Sequence, residues 1–321
     1  MKAQAIHTPV LRPQRSGLAR RIWKKRYAYI FLLPGLIFFA VFCYAPMAGL
    51  ILSFEKYNAR LGMFLSPFIG WDNFERIFIT PLALKSIVNT LTISLGRIIF
   101  EFPAPILLAL LLNEMRGRRI KRLYQTAFTF PHFLSWVIVA IILQDFLGSN
   151  GAVNYLLGLF GAGQVNFLST PGFFRPLLYL TSVWKTMGWS AIIYIASISG
   201  VGTELYEAAA IDGAGRLRRI WHITLPGIKT TIIIMLILKI GKSMNAGFDQ
   251  IFNMRNSVVK GVADIIDTYV YDITFQSTPN YGFSTAVGMF KSIINALLLL
   301  LANYGSKRLF GMGLFGTERE D

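Results

Sequence analysis

Six long apolar stretches dominate this sequence. Each is long enough to cross a membrane as a helix, which takes roughly 20 mostly apolar residues. A single soluble domain rarely contains so many runs of this length. The sequence therefore predicts an all-α integral membrane protein with six transmembrane helices. The predicted spans are residues 27–54, 85–112, 124–147, 174–200, 226–248 and 283–305.

The basic residues alternate along the chain. The net charge of +16 alone would suggest nucleic acid as a partner. The Lys and Arg residues, however, cluster before the first span, in the second-to-third and fourth-to-fifth connections and at the C-terminus, whereas residues 148–173 carry no charge and residues 249–282 are net acidic. This alternation predicts cytoplasmic N- and C-termini. Membrane lipid is thus an expected partner, and nucleic acid is not.

Enzyme signatures are weak. Gly241, Lys242 and Ser243 resemble the end of a phosphate-binding loop, but Leu236 stands where its first Gly should be. No His has a second His or Cys at metal-ligand spacing. We therefore expect no catalytic site, no metal and no cofactor in this chain. An intramembrane hydrolase using His132 and Ser190 stays open as an alternative, although no Gly-x-Ser-x-Gly motif surrounds the serine.

Charged residues occur inside the predicted spans, where they are costly. Arg97 and Glu101 are four apart and share a helix face, so we expect them to neutralise each other. Lys185, Lys239 and Lys242 have no evident partner in the sequence. Snorkelling to an interface would explain Lys239 and Lys242, whereas a basic, water-accessible path for an anionic solute would explain all three lysines.

The connection between the fourth and fifth spans reads TELYEAAAIDGAGRLRRIWHITLP at residues 203–226. Thr203 is a candidate N-cap of a short helix with an Ala-rich, small surface. Asp212 and Gly213 end this helix, and Gly supplies a left-handed turn. A second short helix follows. A small-faced helix and a rigid turn favour docking into a cytoplasmic partner; an interfacial helix on lipid is the alternative.

These residues resemble the EAA motif of permease subunits in binding-protein-dependent ABC importers. The resemblance rests on Glu207-Ala208-Ala209, on DGAG at 212–215 and on ITLP at 223–226. GWDNFERIF (70–78), NTLTIS (89–94) and NGAVNYLLGLFG with VNFLSTP (150–171) are similar to the sugar-importer branch. Within that branch, the chain is most similar to oligosaccharide permeases, including those for alginate or pectin fragments.

The resemblance implies a multi-pass subunit of the bacterial inner membrane. It implies a heterodimer with a second related permease, two ATP-binding subunits that hold ATP and Mg, and an extracytoplasmic solute-binding protein that delivers an oligosaccharide. It divides the chain into a basic N-terminal arm (1–26), a transmembrane domain (27–310) with a coupling element (203–225), and a C-terminal tail (311–321). The coupling residues implied are Glu204, Glu207, Ala208, Ala209, Asp212, Gly213, Ala214, Leu217 and Ile220.

The resemblance also implies a substrate path on the spans that flank the motif. The matching residues are Thr181, Lys185, Lys239, Lys242, Ser243 and Asn245. Trp184 and Trp189 are added to the path as candidates for stacking on a sugar ring, with packing or a place in the aromatic belt as the alternative. Neutral-sugar permeases usually carry Asn, Ser or Tyr there, so the lysines point to an acidic, alginate- or uronate-like oligosaccharide. An importer of neutral sugar or another small solute stays open. A stand-alone secondary transporter is a further alternative, but it would show internal repeats and would leave the motif unexplained.

Overall fold

The computed structural model describes residue 23, residues 25–276 and residues 278–314. These residues are largely helical and form no strand; Glu55 and Phe68 make a single antiparallel bridge. The predicted arm at residues 1–26 lies almost wholly outside the described residues, as does most of the tail at 311–321. The helices are α1 (Arg26–Phe54), α2 (Asp72–Ile79), α3 (Pro81–Glu101), α4 (Pro103–Glu114), α5 (Arg118–Thr129), α6 (Trp136–Leu147), α7 (Ala152–Leu159), α8 (Pro171–Ser199), α9 (Thr203–Ile211), α10 (Arg216–Gly227), α11 (Lys229–Gly241), α12 (Phe248–Met254), α13 (Lys260–Ala263), α14 (Ile266–Tyr271) and α15 (Tyr281–Phe310).

Four helical stretches in the described ranges are long and apolar enough to cross a membrane: α1, α3 with α4, α6 with α7, and α15. The helices α10 and α11 form a fifth if this pair, bent by 63°, counts as one span. The predicted fourth span lies in α8, whose 29 residues reach about 44 Å. That length is sufficient, but Arg175, Lys185 and several hydroxyl side chains make α8 less apolar than the others.

The prediction of one continuous helix at residues 124–147 was wrong. The helix α5 ends at Thr129, a 3-10 turn follows at Phe130–Phe133, and Leu134 and Ser135 are extended. Pro131 explains the interruption, because it has no N–H to donate to the preceding turn. Ser135 then caps α6 by accepting a hydrogen bond from the Ile138 amide at 3.2 Å. The predicted fifth span likewise ends early, at Gly241, and gives way to non-helical residues 242–247.

The chain divides into two units after Ile51. The first contains most of α1, which includes a π-helical turn at Phe39–Tyr44. In the second unit, α4 packs along α8, where Leu108 and Leu112 share a buried cluster with Tyr194 and Ile198. Gly188 lets α8 lie against the Phe128 carbonyl of α5, since any side chain there would collide with that backbone.

Polar side chains form a buried stripe along α3. Ser86, Thr90, Ser94, Arg97 and Glu101 are all buried and are spaced by three or four residues. This spacing places them on one helix face. Apolar side chains on the opposite side, such as Leu91 and Leu95, are exposed. A helix that faces its polar residues inward and its apolar residues outward is built for a lipid surrounding, with a polar interior.

Candidate functional site

A cavity of about 430 Å³ opens between α3, α4, α8, α11 and residues 242–247. Its walls combine apolar side chains with charged and hydroxyl groups. The polar side chains of α3 and α8 that line it are Ser94, Arg97, Glu101, Thr186 and Ser190, and those of the α11 region are Lys239, Lys242, Ser243 and Asn245. The cavity therefore brings charged and hydroxyl groups into the interior of a bundle whose outer surface is apolar.

A buried charge network forms one wall of the cavity. Arg97 Nη1 donates to Glu101 Oε1 at 2.6 Å and to Ser182 Oγ at 3.0 Å, and Nη2 donates to Gln250 Oε1. Glu101 Oε2 accepts from Lys239 Nζ at 2.8 Å. The predicted neutralising pair of Arg97 and Glu101 is confirmed. Buried ions need partners of this kind because isolated charges are strongly disfavoured away from water.

Two of the three lysines that the sequence left unpaired have partners. Lys239 forms the ion pair with Glu101. Lys185 donates to the His132 carbonyl at 2.8 Å, and its Nζ lies 5.3 Å from the centre of the Trp136 ring. The prediction that Lys185 and Lys239 lack partners was wrong. The spacing of residues within one helix cannot show contacts between helices that are distant in the sequence. Lys242 is exposed and forms no ion pair with a described carboxylate.

The charges on the cavity wall sum to a positive value. Arg97, Lys239 and Lys242 are cationic, and Glu101 is the one acidic group among the described lining residues. Lys242 is the cation left free to meet a ligand. The Ser243 hydroxyl adds a buried polar atom without a hydrogen-bond partner within the described ranges. Such an arrangement can hold a polar, anionic molecule through one salt bridge and several hydroxyl contacts.

The predicted substrate residues divide into two groups. Lys239, Lys242, Ser243 and Asn245 line the cavity, as described. The four predicted residues on α8, namely Thr181, Trp184, Lys185 and Trp189, do not line it. Trp189 stacks on the His132 ring, with centroids 4.7 Å apart, and Trp184 is 42% exposed.

Of the predicted α8 residues, Thr181 reaches the charge network, because its hydroxyl accepts from Gln250 Nε2 at 2.8 Å. The other α8 residues that reach the network or the cavity differ from those predicted, mostly by one position. Ser182 contacts Arg97, while Thr186, Ser190 and Tyr194 line the cavity. A one-residue shift turns a helix face by about 100°, enough to exchange lining residues for packing residues. The four-residue spacing of Ser182, Thr186 and Ser190 is a signal in the sequence that could have identified this face.

The α9–α10 segment forms a helix, a turn and a second helix. Gly213 has φ of +72°, as its predicted left-handed turn requires. The Ala214 amide donates to the Ala209 carbonyl at 2.8 Å, which satisfies one of the last carbonyls of α9. The predicted N-cap at Thr203 was wrong: α9 begins at Thr203 and Gly202 precedes it without a side-chain cap. The Tyr206 and Thr224 hydroxyls lie 2.9 Å apart and join the two helices.

This segment presents an exposed surface. The exposed residues of the predicted coupling set are Glu204, Glu207, Ala208, Asp212, Gly213 and Leu217, whereas Ala209, Ala214 and Ile220 are half-buried. Ile211 and Leu217 are 88% and 73% exposed, respectively. A cavity of about 440 Å³ beside α9 is lined by Glu207 and Arg219, among others. Exposed large apolar side chains on a short, rigid element are typical of a protein contact surface.

A second charge cluster lies between α12 and α14. Arg255 contacts Asp264 Oδ1 and Asp272 Oδ1 at 2.7 Å each, and Lys260 contacts Asp272 at 2.8 Å. Burial alone would raise the pKa of Asp272, but hydrogen bonds from Arg255 and Lys260 outweigh it and lower the pKa. Burial keeps the pKa of Asp264 raised despite its bond to Arg255. The cluster fixes the residues that follow α12.

The hydrolase alternative finds little geometric support. His132 stacks on Trp189, whereas Ser190 lines the cavity. No hydrogen bond joins the two side chains in the described part of the chain. Nor do three His, Cys, Asp or Glu side chains in this part of the chain converge as metal ligands.

The chain is similar to known proteins over nearly its whole length. It is 43% identical to the protein LplB of Bacillus subtilis (strain 168) over 293 residues, which cover 91% of this chain and 92% of that protein. It is 40% identical to the polygalacturonan/rhamnogalacturonan transport system permease protein YteP of the same organism over 316 residues, 98% of each chain.

The comparison with solved structures gives a similar result. A chain in the crystal structure of a bacterial alginate ABC transporter, in complex with an alginate pentasaccharide-bound periplasmic protein, has a TM-score of 0.85 and 36% identity. The match covers 92% of this chain and 99% of that chain. The family model described as "Binding-protein-dependent transport system inner membrane component" matches residues 101–311. The chain therefore belongs to the family of inner membrane components of binding-protein-dependent transport systems.

Proposed function

We propose that this chain is the membrane-spanning permease subunit of an ATP-driven importer that passes an acidic oligosaccharide through its α3–α8–α11 cavity. The observation that carries the proposal is the composition of the cavity wall. Lys242, which forms no ion pair with a described carboxylate, lines the same cavity as Ser94, Ser190, Ser243 and Asn245. A uronate unit offers a matching carboxylate and ring hydroxyls. Two similar proteins point the same way, since their names refer to polygalacturonan and alginate.

The proposed topology has six spans, with both termini in the cytoplasm and α8 as the fourth span. The count includes α8 because its 29 residues are long enough to cross a membrane, although they are less apolar than the other spans. Domain limits at 1–26, 27–310 and 311–321 belong to the same proposal. In this arrangement the α9–α10 segment lies on the cytoplasmic side, and residues 249–282 lie outside.

The proposed partners contact surfaces of the chain on the two sides of the membrane. The α9–α10 segment docks on one of two ATP-binding subunits, which hold ATP and Mg, and Glu207 and Leu217 are exposed for that contact. A second permease completes the heterodimer. An extracytoplasmic solute-binding protein delivers the oligosaccharide, as a periplasmic protein does in the alginate transporter structure. In this proposal the chain itself has no catalytic site and no cofactor.

One observation favours a neutral sugar as a second candidate. The carboxylate of Glu101 lines the cavity and already engages Lys239. If that pair stays closed during transport, only Lys242 remains to attract an anion. Hydroxyl groups and Asn245 would then contribute more of the binding.

The test is ATP hydrolysis in material that co-purifies with the tagged chain from its native membranes. The ligands are oligogalacturonate and its carboxyl-reduced counterpart, each with the solute-binding fraction. We expect stimulation by the acidic ligand only. Equal stimulation by both would keep the importer and overturn the acidic substrate. An absence of ATPase activity from a transport-competent preparation would favour a secondary transporter.

A further inference from the structure

A cleft of about 370 Å³ lies between α5 and α8, apart from the cavity described above. Its lining includes Arg122 and Thr126 on α5, Phe130 and Phe133 in the turn that follows, and Ile192 on α8. From Arg122 to Phe133 the lining changes from cationic to apolar. A molecule that fills the cleft therefore needs an anionic group and an apolar body.

The polar end of the cleft carries an excess of positive charge. Five cations stand within seven residues at the start of α5: Arg116, Arg118, Arg119, Lys121 and Arg122. None of them forms an ion pair with a carboxylate in the part of the chain that the structure describes. The helix α5 itself contains no acidic residue. Like charges at this density repel one another unless an external anion compensates them.

The apolar end is open to its surroundings. Phe130 and Phe133 are 63% and 71% exposed. The helix α5 buries none of its side chains. A helix with one basic and one apolar face is typical of the boundary between lipid head groups and acyl chains.

The helices α5 and α8 are in close contact next to the cleft. Gly188 of α8 lies against the backbone of Phe128 and Thr129 so closely that no side chain could be accommodated there. The two helices are therefore held together by a backbone contact, and the cleft beside it is a preformed groove. Basic pockets between helices on the cytoplasmic side are suited to anionic lipid head groups.

We propose that the α5–α8 cleft binds an anionic phospholipid. Its phosphate lies against Arg122 and Thr126, and one acyl chain lies along Phe130 and Phe133. A phospholipid offers an anionic group to the polar end of the cleft and an acyl chain to the apolar end, whereas free phosphate would contact only the polar end. The excess of cations on α5 complements the charge of such a lipid. This inference is independent of the transported solute.

Native mass spectrometry of the full-length chain with its co-purified subunits tests the proposal. The probes are phosphatidylglycerol and phosphatidylcholine with identical acyl chains. We expect Arg122→Gln to weaken phosphatidylglycerol binding at least tenfold and to leave phosphatidylcholine unchanged. Arg122→Lys should retain most of the binding. Arg218→Gln, an exposed arginine on α10 outside the cleft, is the matched control and should have no effect.

Filling the cleft with a larger side chain gives an independent variant. Ile192→Trp should exclude the lipid and lower phosphatidylglycerol binding while Arg122 is intact. Equal losses in Arg122→Gln and Arg218→Gln would overturn the proposal in favour of diffuse attraction. Displacement of the lipid by millimolar inorganic phosphate would show that the cleft is a simple anion site and would overturn the proposal. Exclusion of phosphatidylglycerol by a bound second permease, with a cross-link at Phe133, would make the surface a protein interface instead.

Discussion

Glu101 and Lys239 are 138 residues apart in the chain, yet Oε2 of the carboxylate lies 2.8 Å from Nζ of the lysine. Glu101 also accepts from Arg97. One carboxylate thus joins α3 to α11, while Arg97 joins α3 to α8 through Ser182. Three of the helices that line the cavity, α3, α8 and α11, are therefore held by a single hydrogen-bonded network around Arg97 and Glu101.

The two cations of this network should differ in their structural importance. Arg97→Met removes a buried cation and leaves Gln250 and Ser182 without their donor. We expect it to lower the free energy of unfolding by about 3 kcal/mol. Lys239→Met should lower the free energy of unfolding much less. The Lys239 side chain is 36% exposed, and Glu101 would retain its ion pair with Arg97. Thermal unfolding of the detergent-purified chain measures both. Equal destabilisation would contradict this assignment.

Lys242 should act on substrate rather than on folding. The variant Lys242→Ala should unfold at the temperature of the unmodified chain, because its side chain is exposed and forms no ion pair with a described residue. We expect the KM for uptake of an acidic oligosaccharide to rise roughly tenfold, as for loss of one charged contact. Lys242→Arg should restore uptake. A similar rise in KM for the carboxyl-reduced sugar would show that charge recognition is not involved.

Gly213 should be required for the turn between α9 and α10. Gly213→Val forces a β-branched residue to adopt φ of +72°, at a cost of roughly 1–3 kcal/mol. Gly215→Val is the matched control, because Gly215 has φ of −65° and both positions face open space. We expect only Gly213→Val to impair co-purification of ATPase activity or its coupling to uptake. Normal coupled uptake by Gly213→Val would refute this account of the turn.

The Arg255 cluster should give an acid-sensitive contribution to stability. The pKa of Asp272 is lowered below its ordinary value of 3.8. Its stabilising contribution is therefore complete above pH 3.8 and is lost as the pH falls through the lower folded pKa. Asp264 has a raised pKa, so its protonation on acidification favours the folded state and opposes that loss.

Unfolding temperature measured as a function of pH separates the two carboxylates. Asp272→Asn should destabilise the chain at pH 7 and flatten the fall in stability below pH 3.8. Asp264→Asn should cost less at pH 7, because burial already disfavours its charged form. The opposite ranking of the two variants would show that Asp264 is the main partner of Arg255.

Local features were predicted well from the sequence. The Arg97–Glu101 pair and the left-handed Gly213 follow from spacing and residue type, which act within one or two turns. The partner of Lys239 could not be found in this way, because packing between distant helices brings Glu101 to it. The break before α6 was missed because the apolar pattern continues through Pro131. The one-residue error on α8 arose because Lys185 was taken as a cavity residue, whereas it caps the turn at His132.

Helix α11 follows α10 at a bend of 63°, so a rotation at the bend would move the far end of α11. The bend lies at Ile228, which is fully buried. Lys239 lies about 16 Å from Ile228 along α11. A rotation of roughly 10° at this point would displace the lysine by nearly 3 Å, as much as the length of its contact with Glu101. A displacement of the exposed α9–α10 element that reached α11 would therefore separate Lys239 from Glu101, and the cavity would gain an unpaired cation while its net charge stayed the same.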